Sequence, residues 1–205
     1  MNLSFFNKKS EFLILTFLNL IIQAIITRYT MVKSTKEHKK NKWFNLGLFI
    51  FQLVLIFALC MPIPIVFKFL LFCLFSVTWG FTLSALNLND TLVHVAFYGT
   101  LSVFGIMAAI GVLISLVGIN LGPQIGLSLF YGLLCLLLFG IFNIIAGDTM
   151  HKIFSMVAVI LFSMYIIYDT NKIMQRDYKG DFIQASLDYY LDIVNIFLNL
   201  FSLQD

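Results

Sequence analysis

The chain has 205 residues, of which 60% are hydrophobic and 11% are charged, and its formal net charge at neutral pH is +3. So little polar surface cannot cover a water-soluble domain of this size, and so small a charge gives no indication of nucleic acid as a partner. The mean hydropathy of +0.96 predicts an integral, multi-pass membrane protein surrounded by a lipid bilayer. Because backbone polar groups in hydrocarbon must satisfy one another, its long apolar runs should be α-helices.

Seven apolar segments follow one another along the chain, separated by charges and by clusters of proline, glycine and asparagine. Each is close to the ~20 residues that a bilayer core requires. The predicted helices span about 11–30, 43–62, 64–87, 91–115, 122–146, 150–174 and 182–203. We expect them to form a single transmembrane domain over residues 1–205, an all-α bundle of seven helices.

Short turns should connect several of these helices. The two prolines of MPIPI, Met61 to Ile65, end the second helix and begin the third. The stretch GINLGPQ reads as a turn before the fifth helix. Its glycines Gly118 and Gly122 continue to Gly126 at a four-residue spacing, which would also allow close helix approach, although a plain turn is the simpler interpretation.

The cysteines and histidines indicate neither a disulfide nor a zinc site. Cys60, Cys73 and Cys135 each lie alone within an apolar run, so we predict packing residues. His94 and His151 lie near predicted helix ends, where a solvated histidine is the ordinary case and a pH sensor is the alternative. We expect no bound cofactor.

The last predicted helix carries a polar stripe. Asp188, Asp192, Asn195 and Asn199 follow a spacing of i, i+4, i+7 and i+11, which places them on one face. A carboxylate at a helix centre costs roughly 2.5–3.5 kcal/mol, whereas each large apolar residue returns only about 0.3–0.6 kcal/mol. These terms nearly cancel, so this helix should be enclosed by the others rather than face lipid on all sides.

The sixth helix carries a second stripe, formed by Tyr165, Asp169, Lys172 and Arg176. Helices joined by a short loop pack antiparallel, so the two stripes can meet. Asp169 and Asp192 lie well inside their helices and are the candidate functional pair. Asp188, close to the preceding loop, is better explained as a residue solvated at the membrane interface.

The two closing segments resemble the Bax inhibitor-1 family, also called lifeguard or transmembrane Bax inhibitor motif proteins. FSMYIIYDTNKI contains the family's Y-D-[TLS]-[NQ] motif, and ASLDYYLDIVNIFLNLF contains its [AS]-L-x-x-Y-L-D-[IF]-[IV]-N motif. This close match covers about forty residues. LFGIFNII, Leu138 to Ile145, extends a weaker similarity, and the first three helices match only in apolar character.

The resemblance implies a bundle in which the last helix is surrounded by the others. It also implies a leak of cations, calcium above all, controlled by two aspartates that share a proton. The family's pair would correspond to Asp169 and Asp192, which would also make transient contact with a permeating calcium ion. Two close carboxylates in a low-dielectric site cannot both ionise cheaply, and hard oxygen ligands suit calcium, so elementary chemistry agrees with this role.

The chain departs from the family at the end of the second helix, where members commonly place an arginine that pairs with the first aspartate. The corresponding region here reads LCMPIPIVFK, and Lys68 is the candidate substitute. Gln52, midway along the second helix, should also point inward, as a hydrogen-bonding neighbour of the site or as packing glue.

Two other kinds of function remain open. A membrane-embedded regulator would bind other membrane proteins, such as a cell-death factor or a membrane protease, and the family is credited with this role as well. An intramembrane aspartyl protease would also use two embedded aspartates, and the chain has YD at Tyr168-Asp169 and GD at Gly147-Asp148. That order is reversed, and Asp148 reads as a helix N-cap. We therefore expect no enzyme. The host membrane would be the plasma membrane in a bacterium, and the endoplasmic reticulum or Golgi in a eukaryote or virus.

Overall fold

The computed structural model describes residues 3–34, 42–84, 90–146, 150–175, 178 and 180–204. Within these residues the chain forms seven α-helices in the predicted order, and the predicted all-α class is confirmed. The helices are α1 (Leu3–Lys33), α2 (Lys42–Leu59), α3 (Ile65–Ser84), α4 (Asp90–Leu116), α5 (Pro123–Ala146), α6 (His151–Gln175) and α7 (Phe182–Gln204). The first loop's lysines from Lys36 to Lys40, the Gly147-Asp148 pair and Arg176 lie outside the described residues.

Helix ends differ from the sequence expectations where polar residues or prolines intervene. α1 begins at Leu3 rather than near residue 11, because a helix can continue through lysines. The predicted start was placed at the first apolar residues and therefore excluded them. α2 ends at Leu59 rather than near residue 62. Pro62 restricts the residue before it and supplies no backbone N–H, so the helix stops ahead of it.

Five stretches of the described residues are long and apolar enough to cross a membrane. They are Glu11–Lys33, Ile65–Ser84, Thr91–Leu116, Pro123–Gly140 and His151–Gln175. The apolar part of α2, Trp43–Leu59, is shorter, and α7 is not among the five because its polar stripe lowers its hydropathy.

The chain divides into two compact units. The first contains Met1–Leu88 and Tyr178–Tyr190, and the second contains Asn89–Asp177 and Leu191–Asp205. α3 packs against α1 and α2 in the first unit, and α6 packs against α4 and α5 in the second. α7 thus contributes its first nine residues to one unit and the rest to the other.

Burial along α7 is unlike that of the other helices. Every residue from 182 to 204 is described, and none of them is exposed, whereas α1 to α6 each have exposed residues. Asp181 caps the start of α7, because its Oδ1 accepts a hydrogen bond from the Gln184 backbone N–H at 2.9 Å. The chain enters this cap through Gly180, whose φ of 79° favours glycine.

Candidate functional site

Asp169 and Asp192 both lie buried in the second unit. Asp169 on α6 is 6% exposed and Asp192 on α7 is 4% exposed. Tyr165, one turn before Asp169, lies within electrostatic range of both carboxylates. Neither aspartate is isolated, since each takes part in further polar or electrostatic contacts. Two buried acidic side chains thus both interact with the Tyr165 side chain.

The residues beside Asp169 hold α6 against α4 and α5. A Cβ at Gly111 of α4 would come 2.5 Å from the Thr170 Cβ and 2.9 Å from the Ile167 carbonyl oxygen. A Cβ at Gly126 of α5 would overlap the Tyr168 hydroxyl. A Cβ at Gly111 would therefore meet a Cβ and backbone that cannot easily move, whereas a Cβ at Gly126 would meet only the end of the Tyr168 ring. Of the three glycines at that four-residue spacing, Gly126 makes a close contact, whereas a Cβ at Gly118 or Gly122 would meet nothing within 4 Å.

Asn171 fastens the same part of α6 to the turn between α4 and α5. Its Nδ2 donates to Ser115 Oγ and to the Ile119 carbonyl, each at 2.8 Å, and its Oδ1 accepts from the Leu121 N–H at 2.8 Å. Asn171 is fully buried. In the Y-D-T-N motif the acidic residue is thus flanked by residues whose contacts hold α6 against its neighbours.

The role of Asn171 was not foreseen from the sequence. The available signal was a second polar residue two positions after Asp169 in an apolar run, which must find hydrogen-bond partners when buried. Its partners lie some fifty residues away along the chain, so the motif itself does not identify them.

The asparagines of the α7 stripe use their amides within their own helix. Asn195 Nδ2 donates to the Leu191 carbonyl, and Asn199 Nδ2 donates to the Asn195 carbonyl, both at 2.8 Å. Both side chains are half-buried. Asp188 is also half-buried, and its Oδ2 accepts from the Tyr178 hydroxyl at 3.0 Å.

Lys68 and Gln52 belong to the first unit. Lys68 is 5% exposed, and its Nζ lies 2.5 Å from Asp181 Oδ2, the residue that caps α7. Gln52 is 4% exposed and donates to Thr82 Oγ1 at 2.9 Å. The inward orientation expected of Gln52 matches its burial. Lys68 has a carboxylate partner that the sequence analysis did not name.

Candidate metal ligands do not cluster in the part of the chain that the structure describes. Among the described residues, no group of three or more His, Cys, Asp and Glu side chains could hold a metal ion. The three cysteines are free thiols. His151 Nδ1 lies 3.0 Å from Ser202 Oγ, and His94 stacks on Tyr98.

Comparison with known proteins places the chain in a family. A family model described as "Inhibitor of apoptosis-promoting Bax1" matches residues 9–204. The Golgi anti-apoptotic protein of Vaccinia virus (strain Lister) is 33% identical over 81 residues, which are 39% of this chain and 34% of that protein. Protein LIFEGUARD 1 of Arabidopsis thaliana is 38% identical over 78 residues, 37% of this chain and 33% of that protein.

Protein lifeguard 4 of Mus musculus is 35% identical over 78 residues, 38% of this chain and 33% of the relative. The aligned part thus spans about a third of the length of these curated relatives. The family model extends much further, over nearly the whole chain. This integral, multi-pass membrane protein therefore belongs to the Bax inhibitor-1 family.

Proposed function

We propose that the protein is a pH-sensitive leak channel for cations, calcium above all, gated by Asp169 and Asp192. The observation that carries the proposal is the burial of both carboxylates, since Asp169 is 6% exposed and Asp192 is 4% exposed. Both also interact electrostatically with Tyr165. Burying two acidic groups in one region of a membrane protein is expensive, so such groups mark ion or proton pathways.

The gate rests on a shared proton. Two carboxylates in a low-dielectric site cannot both ionise cheaply, so they titrate as one unit. With one proton they can hydrogen-bond to each other, and without it they repel each other or attract a cation. The pair is then a two-state element that pH biases.

The surroundings of Asp169 and Asp192 support a difference in mobility. Tyr168, Thr170 and Asn171 hold Asp169 on a helix that is fastened to α4 and α5. The side-chain amides of Asn195 and Asn199 donate to carbonyls one turn earlier in α7, so these bonds do not connect α7 to another helix. Repulsion within the pair would therefore displace α7 more readily than α6.

The proposal includes a bundle of seven transmembrane helices with α7 enclosed by the others. Two observations support the enclosure. No residue from 182 to 204 is exposed, and the polar stripe of α7 would be costly in contact with lipid. Spin labels placed one at a time at Asp188, Asp192, Asn195 and Asn199 test the enclosure. Contact of these labels with lipid would contradict it.

Calcium entry into liposomes that contain only the purified protein tests the function. We expect a flux above that of protein-free liposomes, and we expect it to change between about pH 6 and pH 8, where a carboxylate pair sharing a proton can titrate. Flux that is absent at every pH would contradict the channel.

Regulation of cell death is a second candidate, favoured by the printed names of relatives such as the Golgi anti-apoptotic protein of Vaccinia virus. In this alternative the chain binds other membrane proteins and conducts nothing alone. Protection of cells from a death stimulus by a variant that lacks flux in liposomes would support this alternative and separate it from the channel.

A further inference from the structure

A row of neutral polar residues is buried along α1. Thr16, Asn19, Gln23 and Thr27 are 0%, 3%, 0% and 7% exposed. Their spacing of i, i+3, i+7 and i+11 puts them on one face of the helix. All four lie within Glu11–Lys33, one of the stretches long and apolar enough to cross a membrane.

Gln23 is the centre of a hydrogen-bonded cluster with α3. Its Nε2 donates to Asn19 Oδ1 at 3.1 Å and contacts Cys73 Sγ at 3.7 Å, and its Oε1 accepts from Ser76 Oγ at 2.8 Å. The interior of the first unit is thus polar where its helices α1 and α3 meet.

The first part of α7 extends this cluster at both ends. Thr27 Oγ1 lies 2.5 Å from the Tyr190 hydroxyl, and Ser186 Oγ donates to the Thr16 carbonyl at 2.9 Å. From Thr16 to Thr27 the row covers roughly 16 Å of α1 at 1.5 Å per residue, about half of the ~30 Å hydrocarbon thickness. We call these residues of α1, α3 and α7 the α1 polar cluster.

One donor of the α1 polar cluster has no partner among the described residues. Asn19 Nδ2 is buried, and no acceptor among the described residues lies at hydrogen-bond distance from it. A buried N–H without an acceptor is costly in an apolar region, and water is the usual solution.

We propose that the α1 polar cluster is a hydration site that admits water from the membrane surface into the first unit. Water accepts a hydrogen bond from Asn19 Nδ2 and donates to neighbouring hydroxyl and carbonyl oxygens. The site involves only residues of the first unit and does not depend on Asp169 and Asp192, so its failure and that of the proposed channel can be told apart.

Cys73 is a native reporter for this water, because its thiol contacts Gln23. Methanethiosulfonates react with the thiolate, which forms readily in water and poorly in an apolar environment. A variant with Cys60→Ser and Cys135→Ser keeps Cys73 as the only thiol. The control carries Cys60→Ser and Cys73→Ser and keeps Cys135, which is more exposed than Cys73 but lies on α5 beside apolar neighbours.

Both variants are reconstituted into liposomes and treated with a cationic, water-soluble methanethiosulfonate. We expect Cys73 to react at least about tenfold faster than Cys135, because only its thiol has water beside it. Equal rates, or slower reaction of Cys73, would overturn the proposal. Labelling after denaturation in detergent checks that each thiol is free.

Asn19→Leu in the Cys73-only variant tests the proposed anchor of the water. Leucine keeps a similar volume and removes the donor, so we expect the reaction of Cys73 to slow by about tenfold. An unchanged rate in a variant that elutes as a single sharp species would overturn the role of Asn19. If this variant does not fold, the comparison of Cys73 with Cys135 still decides the proposal.

Discussion

The two units bury polar side chains of different kinds. The first unit buries neutral groups along α1, and these bond to one another, to Ser76 of α3 and to Tyr190 of α7. The second buries two carboxylates, Asp169 and Asp192. A neutral cluster costs little once its bonds are made, and its charge does not change with pH. A carboxylate pair is costly and changes its charge with pH, and for this reason we place the proposed gate in the second unit.

The first unit also contains charged side chains, but they form a pair of opposite charges. Lys68 and Asp181 form an ion pair at the start of α7, where Asp181 is 26% exposed. One charge cancels the other, and water reaches one partner. This pair stabilises a helix start, whereas Asp169 and Asp192 are both acidic and cannot neutralise each other as ions of opposite sign do.

The largest effect that we expect comes from removing the residue that fastens α6. Asn171→Ala removes one hydrogen bond each from the Ser115 hydroxyl, the Ile119 carbonyl and the Leu121 N–H. Three part-buried hydrogen bonds contribute about 1 kcal/mol each, so we expect a loss of about 3 kcal/mol and a clearly lower Tm.

Thermal unfolding in detergent, followed by size-exclusion chromatography with tryptophan fluorescence, measures this change. Asn195→Ala is the control, because Asn195 bonds only one turn back within α7 in these contacts. Equal Tm values for the two variants would show that Asn171 does not hold the site.

Close packing of α4 on α6 gives the next effect. Gly111→Ala would place a Cβ 2.5 Å from Thr170 Cβ, and overpacking of this kind costs about 1–3 kcal/mol. Gly105, on the same helix, has no atom within 4 Å of such a Cβ. There the change to alanine should raise stability by up to about 1 kcal/mol, because alanine favours helix. A Gly111→Ala variant as stable as the parent would contradict the close approach.

The ion pair at the start of α7 gives the smallest effect. Lys68→Met leaves Asp181 without its partner, but solvent at Asp181 weakens the loss, so we expect about 1–2 kcal/mol. Adding Asp181→Asn should restore part of that stability, since no unpaired charge then remains and asparagine still caps a helix. If the double variant is less stable than the sum of both single losses, the pair is not the main role of these residues.

Much of the fold could be predicted from the sequence because hydrocarbon leaves few alternatives. Apolar runs of about twenty residues must be helices, so the order and number of the helices followed directly. Helix ends were harder, since α1 continues through the polar residues before Glu11 and α2 stops ahead of Pro62.

The candidate site could be predicted only in part. Asp169 and Asp192 were identified from their cost in an apolar helix. The partners of Lys68 and Asn171 lie 113 and 50 to 56 residues away along the chain, and only tertiary structure brings them together. The row along α1 was visible in its spacing, but threonine, asparagine and glutamine carry no charge and so stood out less than the aspartates.

The most direct test of the central claim compares calcium entry into proteoliposomes at several pH values for the parent, Asp169→Asn, Asp192→Asn, the double variant and Asp188→Asn. Each single change at the pair removes the partner with which a proton is shared, so each should flatten the pH dependence between about pH 6 and pH 8. The double variant should differ little from either single variant, because groups that act as one unit are not additive. Asp188→Asn should keep the parent's profile. A pH profile that survives both single changes, or one that Asp188→Asn alone removes, would contradict gating by Asp169 and Asp192.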